Sequence, residues 1–332
     1  MTDTNKTDKK QLNDHDIFVR GILGVTELAL TLLRYYIPKG LQKYIDFSTL
    51  KLLSDTHIDK VLSPTYSDTI HECMLKKEAL PLHKQLMKDL PSFRFCILWE
   101  HKSSKPSEPI EFQVEDYRKS IIRADLKNKR PPSIVLPILI YHGQTKWHKK
   151  LLHEQMSDFL PDAIMEYVPF PKYIIIDLQA LTDNEIEKIT DLGMLRGVFI
   201  ALKHAQQEEF FRQNPEKILN FVEGLSSRYL FDEILRMVLE YMQRRSKLGN
   251  DAFEEILNKT NPDMATNFKT FIEVAEEKGL EKGIEKGVIA FIRSTNLTDA
   301  QIAKELDVEI DYVQDIRQRM KSVTKKFKNE DI

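Results

Sequence analysis

Phe93-Arg94-Phe95-Cys96-Ile97-Leu98-Trp99-Glu100-His101-Lys102 is apolar on both alternating faces until it ends in a carboxylate, an imidazole and an ammonium. A short run apolar on both faces, entered after Pro91, reads as a central strand covered on each side. Alternate side chains of a strand share a face, so Glu100 and Lys102 point the same way and the His101 ring points the other. Charged groups at the tip of a buried strand are costly unless they have partners or a task. Glu-x-Lys alone is a common tripeptide that equally marks a strand leaving the core, so its meaning depends on its surroundings.

Outward from this strand the pattern is α/β. The spacing predicts a helix over 16–36, short extended pieces over 45–53, and strands over 66–74, 134–141 and 172–178, with helices over 111–125 and 151–160 between them. Strands separated by helices imply a sheet covered on both faces. From Asn184 onward the periodicity is helical only, over 185–206, 215–226 and 229–245. Glu277–Val288 then repeats Glu-Lys-Gly, placing Gly279, Gly283 and Gly287 on one stripe of a helix. That stripe reads either as a solvated hinge helix or as a dimerisation seam. Residues 297–317 have the apolar spacing of two short packed helices, capped by Thr298 or Asp299, with Asp307 where a turn glycine is common. Glu309, Asp311 and Asp315 would repel phosphate at the start of a recognition helix, so this module is a weak DNA reader. The domains expected are a disordered tail 1–14, an α/β domain 15–183, a helical region 184–272, a linker helix 273–293 and a helix-turn-helix-like tail 294–332.

Composition narrows the function classes. Of 332 residues 42% are hydrophobic and 30% charged, an ordinary globular balance. Cys73 and Cys96 are too few for a disulfide framework and lack metal-ligand spacing, which fits a reducing cytoplasm. No segment approaches the roughly 20 apolar residues of a membrane span. The first fourteen residues lack the apolar stretch of a secretory signal. A net charge of −2 excludes a polycation that coats nucleic acid, so any DNA contact must come from local basic patches.

The chemistry is carried by a second element, Tyr66-Ser67-Asp68. If its strand pairs with 93–102, Asp68 and Glu100 converge, and two carboxylates converging without a cation repel. A divalent metal resolves that, and Mg²⁺ takes hard oxygen ligands, few of them from protein. Such an ion polarises a phosphate and lowers the pKa of bound water. Lys102 can position that water and stabilise charge on the phosphorane oxygens. Asp68, Glu100 and Lys102 thus make a coherent phosphodiesterase constellation.

The ordered pieces His15-Asp16-Ile17-Phe18, Tyr36-Ile37-Pro38, Tyr66-Ser67-Asp68, Glu100-His101-Lys102-Ser103, Tyr117 and Pro137-Ile138-Leu139-Ile140-Tyr141-His142-Gly143 together resemble the recombination-promoting nuclease family, whose members also carry a transposase label, within the PD-(D/E)xK nuclease superfamily. The resemblance runs from His15 to Gly143 and is architectural beyond. It implies a restriction-endonuclease-like mixed sheet flanked by helices and followed by an all-helical region. It also implies a DNA endonuclease of low sequence specificity, linked to recombination or mobile elements. Asp68, Glu100 and the His101 backbone carbonyl would hold Mg²⁺, with Mn²⁺ as a substitute, and Lys102 would complete the catalytic set. Glu27, Gln113, Tyr117 and His142 are accessory candidates; Glu27 reads equally as a solvated helix-face glutamate, and His142 as a packed, hydrogen-bonded histidine. Double-stranded DNA is the expected partner and a homodimer is open. Two departures stand out. Lys102 restores the superfamily lysine where the family usually has glutamine, and Gln113 replaces a frequent arginine. The rival class is a catalytically silent DNA-binding or scaffolding protein on the same fold.

Overall fold

The computed structural model describes residues 13–53, 69–79, 93–147, 150–168, 172–189, 193–220 and 228–329. The chain divides into two compact units, Met1–Asn261 and Pro262–Ile332.

The first unit opens with α1 (Asp14–Gly24) and α2 (Thr26–Tyr36) rather than with one helix. Asn13 caps α1, accepting from the Asp16 N–H at 2.9 Å, while the Asp16 carboxylate accepts from the Asn13 N–H at 3.1 Å. The expected helix over 16–36 is broken at Val25, which is extended (φ −81°, ψ 102°) and sends its N–H to the Ile22 carbonyl. Glycines at 21 and 24 weaken the helix there. Gly21 also sits where any side chain would overlap Met237, so its smallness permits close packing.

A short α3 (Lys39–Gln42) leads into β1 (Ile45–Leu52), followed by β2 (Thr69–Leu75) and β3 (Arg94–Lys102). The crossover helix α4 (Ile110–Lys127) joins β3 to β4 (Ile134–Tyr141). Then come α5 (Leu152–Ser157), α6 (Asp162–Met165) and β5 (Ile174–Asp177). Among the described residues the five strands form one mixed sheet in the order β1-β2-β3-β4-β5. β1–β2 and β2–β3 are antiparallel; β3–β4 and β4–β5 are parallel. Parallel neighbours need a long connection, which α4 supplies. β3 is central and buried from Phe95 to His101, as its two-sided apolar pattern predicts.

The two sheet faces are covered differently. On one, Ile70, Cys96 and Leu98 pack under Tyr117 and Ile121 of α4, and Leu139 packs with Ile110, Val114 and Tyr173. The other carries α1, which contacts α11 (Arg228–Ser246) as well as the sheet. The helical stretch between them comprises α7 (Asp183–Ile189), α8 (Gly193–Lys203), α9 (Glu208–Gln213) and α10 (Pro215–Leu219). With α11 and α12 (Asn250–Thr260) it belongs to the same compact unit as the sheet. Residues 221–226 of the helix expected over 215–226 lie outside the described residues.

The second unit holds α13 (Pro262–Ser294), α14 (Asp299–Leu306) and α15 (Ile310–Asn329). The expected linker 273–293 lies within α13. Val288, Ile302, Ala303, Val313 and Ile316 form its small core. Thr298 caps α14, and Asp307 adopts the left-handed conformation (φ 52°) in the turn. Arg317 pairs with Asp299, and Arg319 with Glu285 and Asp315. No described helix is long and apolar enough to cross a membrane.

At the amino end of β3 the Arg94 guanidinium bridges Glu72 and Asp125. The fully buried Asp125 also accepts from the Ser133 N–H (2.9 Å) and hydroxyl (2.6 Å). Removing one partner of a buried ion pair leaves the other uncompensated. Asp125→Ala is therefore expected to lower the unfolding free energy by roughly 3–5 kcal/mol, read from urea denaturation.

Candidate functional site at the carboxyl end of the central strand

Strand alternation places Glu100 and Lys102 on the α4 face, at the carboxyl end of β3 beside that of parallel β4. Ligands of open α/β sheets bind outside such ends. Glu100 is 4% exposed, and a buried carboxylate needs compensation. Lys102 Nζ lies 2.6 Å from Glu100 Oε1. Gln113, one turn into α4, donates from Nε2 to Glu100 Oε2 at 2.9 Å, and its Oε1 accepts from Lys102 Nζ at 3.0 Å. The Gln113 amide also reaches the Tyr117 hydroxyl, 3.0 Å away and one turn further along α4. Four of the residues singled out in the sequence thus form one network: Glu100, Lys102, Gln113 and Tyr117. An amide can bridge carboxylate and ammonium because it both donates and accepts.

Asp68 lies outside the described residues. Its successor Thr69 pairs with Trp99, the predecessor of Glu100, in the antiparallel ladder. The Ile70 carbonyl accepts from Leu53 on the β1 side, and Leu75 donates to Phe93 on the β3 side. Backbone groups alternate in direction along a strand. Odd-numbered β2 residues therefore address β3. Because the Lys102 carbonyl accepts from the His142 N–H on the β4 side, the His101 carbonyl is turned toward β2.

The remaining candidates sit elsewhere. The His101 ring is on the reverse face, its Nε2 2.9 Å from Asp16 Oδ1. His142, wholly buried, stacks parallel to it at 5.9 Å between centroids and meets His15 edge-on at 5.0 Å. Among the described residues neither ring nitrogen of His142 has a hydrogen-bond partner. Glu27 lines a cavity with Gly21, Gly24, Thr26, Leu230 and Glu233, none of which belongs to the Glu100 network. Sequence reasoning missed the partner of the His101 ring: the signal was the His15-Asp16 pair, read only as part of a family signature. Gly143 is confined by geometry, since any side chain there would overlap the Tyr141 ring.

These positions define an α/β protein with a Glu-x-Lys pair at the end of its central strand, the glutamate buried and the lysine half-buried. The family model described as "Putative transposase, YhgA-like" matches residues 13–227, well over half of the chain, and the chain belongs to that family. Among curated relatives, the recombination-promoting nuclease RpnA of Escherichia coli K12 is 22% identical over 279 residues, covering 82% of this chain and 86% of its own length. The inactive recombination-promoting nuclease-like protein RpnE of the same strain is 21% identical, covering 82% and 85%. The recombination-promoting nuclease RpnD of Escherichia coli O157:H7 is 20% identical, covering 79% and 92%. No solved structure matches the chain.

Burial pushes His71, whose Nδ1 accepts from the Trp99 indole at 3.2 Å, down to about 4, and pushes His15 down to about 4 as well. Both are neutral when folded at pH 7, whereas the unfolded imidazoles take up protons below their ordinary 6.5. Their contribution is therefore whole above pH 6.5 and is lost as pH falls from 6.5 toward 4, by up to about 1.4 kcal/mol per pH unit for each. His71→Gln should make the pH dependence of unfolding shallower across that window, as measured by urea denaturation at several pH values.

Proposed function

We propose that this protein is a metal-dependent DNA endonuclease that hydrolyses phosphodiester bonds with low sequence specificity, in a setting of recombination or mobile elements. The observation that carries the reading is the Glu100–Lys102–Gln113 network, built on the buried Glu100 carboxylate at the end of β3. Membership of a family with relatives named as recombination-promoting nucleases supports it.

The reading places Asp68, Glu100 and the His101 carbonyl as ligands of Mg²⁺, with Mn²⁺ as a substitute. Carboxylate and carbonyl oxygens are hard donors of the kind Mg²⁺ prefers, and Mg²⁺ needs few of them from protein. Among the described residues no three His, Cys, Asp or Glu side chains surround a cation position, so Asp68 is indispensable to the assignment. It also requires the β2–β3 register to continue one residue beyond Thr69–Trp99, which would set Asp68 opposite Glu100. The ion, when bound, would polarise the scissile phosphate and acidify a water. Glu100 would orient toward it with its remaining lone pairs. Lys102 would stabilise charge developing on the phosphate oxygens and hold the attacking water. Gln113 would keep carboxylate and ammonium in register, as the family's frequent arginine at this position cannot, because it offers no acceptor. Tyr117 would fix the Gln113 amide. Double-stranded DNA is the substrate this reading implies.

The engagement of both Glu100 oxygens by Lys102 and Gln113 favours one rival, a catalytically silent platform on the same fold. Calorimetric titration with Mn²⁺ separates the two, since a platform shows no binding that depends on Glu100.

Plasmid nicking with Mg²⁺ is expected from the wild type and abolished by EDTA. Glu100→Ala and Asp68→Ala should remove it, and Lys102→Ala should slow it by about 10²–10³-fold. Cleavage that survives EDTA, or Glu100→Ala at the wild-type rate, would rule the assignment out.

A further inference from the structure

The reverse face of the sheet, directly behind the candidate site, carries a polar cluster that the nuclease chemistry does not use. His101 stands between Glu100 and Lys102 in β3. Its ring is held by Asp16 of α1, and the other oxygen of that carboxylate accepts from the Asn13 N–H at 3.1 Å. Two bonds in different directions fix the orientation of the carboxylate. Behind His101 lie His142 and then His15, whose Nδ1 meets the Tyr241 hydroxyl of α11 at 2.8 Å. Tyr241 in turn stacks on Phe18 at 4.1 Å.

Apolar side chains would pack this interior with less desolvation, and among the described residues nothing hydrogen-bonds to either ring nitrogen of His142. Stability alone does not account for the cluster. What it does accomplish is geometric. A residue between two functional side chains on a strand sets the position of both, and the His101 carbonyl is turned toward the edge where β2 begins. Partners of liganding groups commonly control their orientation.

We infer that Asp16 is a positioning residue: by gripping the His101 ring from behind the sheet it holds the strand end at which Glu100, Lys102 and the His101 carbonyl are presented. The inference rests on the nuclease reading and adds to it a residue on the opposite face. Asp16 lies on the face of the sheet opposite the Glu100 network, and its assigned route to the site is the His101 ring.

The test is calorimetric titration of the full chain with Mn²⁺, with far-UV circular dichroism as the control of folding. Asp16→Ala should weaken Mn²⁺ binding by about 10-fold or more. His101→Phe, which keeps a ring in the stack, should weaken it equally, and the double variant should be no worse than either single one. Asp16→Glu should recover part of the loss. Asn13→Ala removes the side-chain cap of α1 without touching His101 and should bind Mn²⁺ as the wild type does. Should Asp16→Ala fail to fold, Asp16→Asn, which retains one acceptor oxygen, carries the same comparison. Wild-type affinity in folded Asp16 variants, or equal loss in Asn13→Ala, overturns the positioning role. Absence of Mn²⁺ binding by the wild type is a different result: it removes the nuclease reading, and the positioning role with it.

Discussion

A carboxylate buried at the tip of a central strand is the constraint from which this architecture follows. β3 is covered on both faces, so Glu100 has little water to solvate its charge. Lys102, two residues on and on the same face by the pleat, supplies the opposite charge. Gln113 closes the arrangement from α4, the helix that the parallel β3–β4 pairing requires. One helix therefore completes both the sheet topology and the polar network. The site is held by elements that the fold needs anyway, which is how a constellation stays within the tolerance that chemistry demands.

The opposite end of β3 shows the same chemistry with a different outcome. The buried Asp125 and the half-buried Arg94 and Glu72 are also charges in contact, yet they sit at the amino end of the strand, where Asp125 is saturated by Ser133 and two arginines. Buried charge by itself does not mark a site. Position relative to the carboxyl ends of parallel strands, and the presence of groups with bonding capacity to spare, separate the two clusters.

Much of the sheet was legible because its strands obey simple rules. Two-sided burial of Phe95–His101 in β3 and of Pro137–Tyr141 in β4 reflects a sheet covered on both faces, and the alternation that put Glu100 with Lys102 and turned the His101 ring away is a property of any strand. The first helix was only half legible: apolar spacing continues across Val25, while the break depends on local backbone geometry that periodicity does not encode. Gln113 was noticed for departing from a family pattern, and only tertiary structure shows it bridging Glu100 and Lys102. The partner of His101 was present in the His15-Asp16 pair but could not be matched to it, since Asp16 lies far away in sequence and no spacing rule joins a helix start to a strand end.

The long helix α13 carries a consequence of its own. Every residue from Glu273 to Gly283 is exposed, whereas Ala265 and Phe268 near the start and Val288 toward the end are buried. Helices ordinarily fray inward from their termini. Here burial pins both termini, and the weakest propensity lies in the middle, where a side chain at Gly279 or Gly283 would meet nothing within 4 Å among the described residues beyond its own stretch of helix. Melting of this helix should begin at its centre. Amide hydrogens around 279–283 would then exchange with solvent ahead of those at either end, and proteases would nick the chain there first.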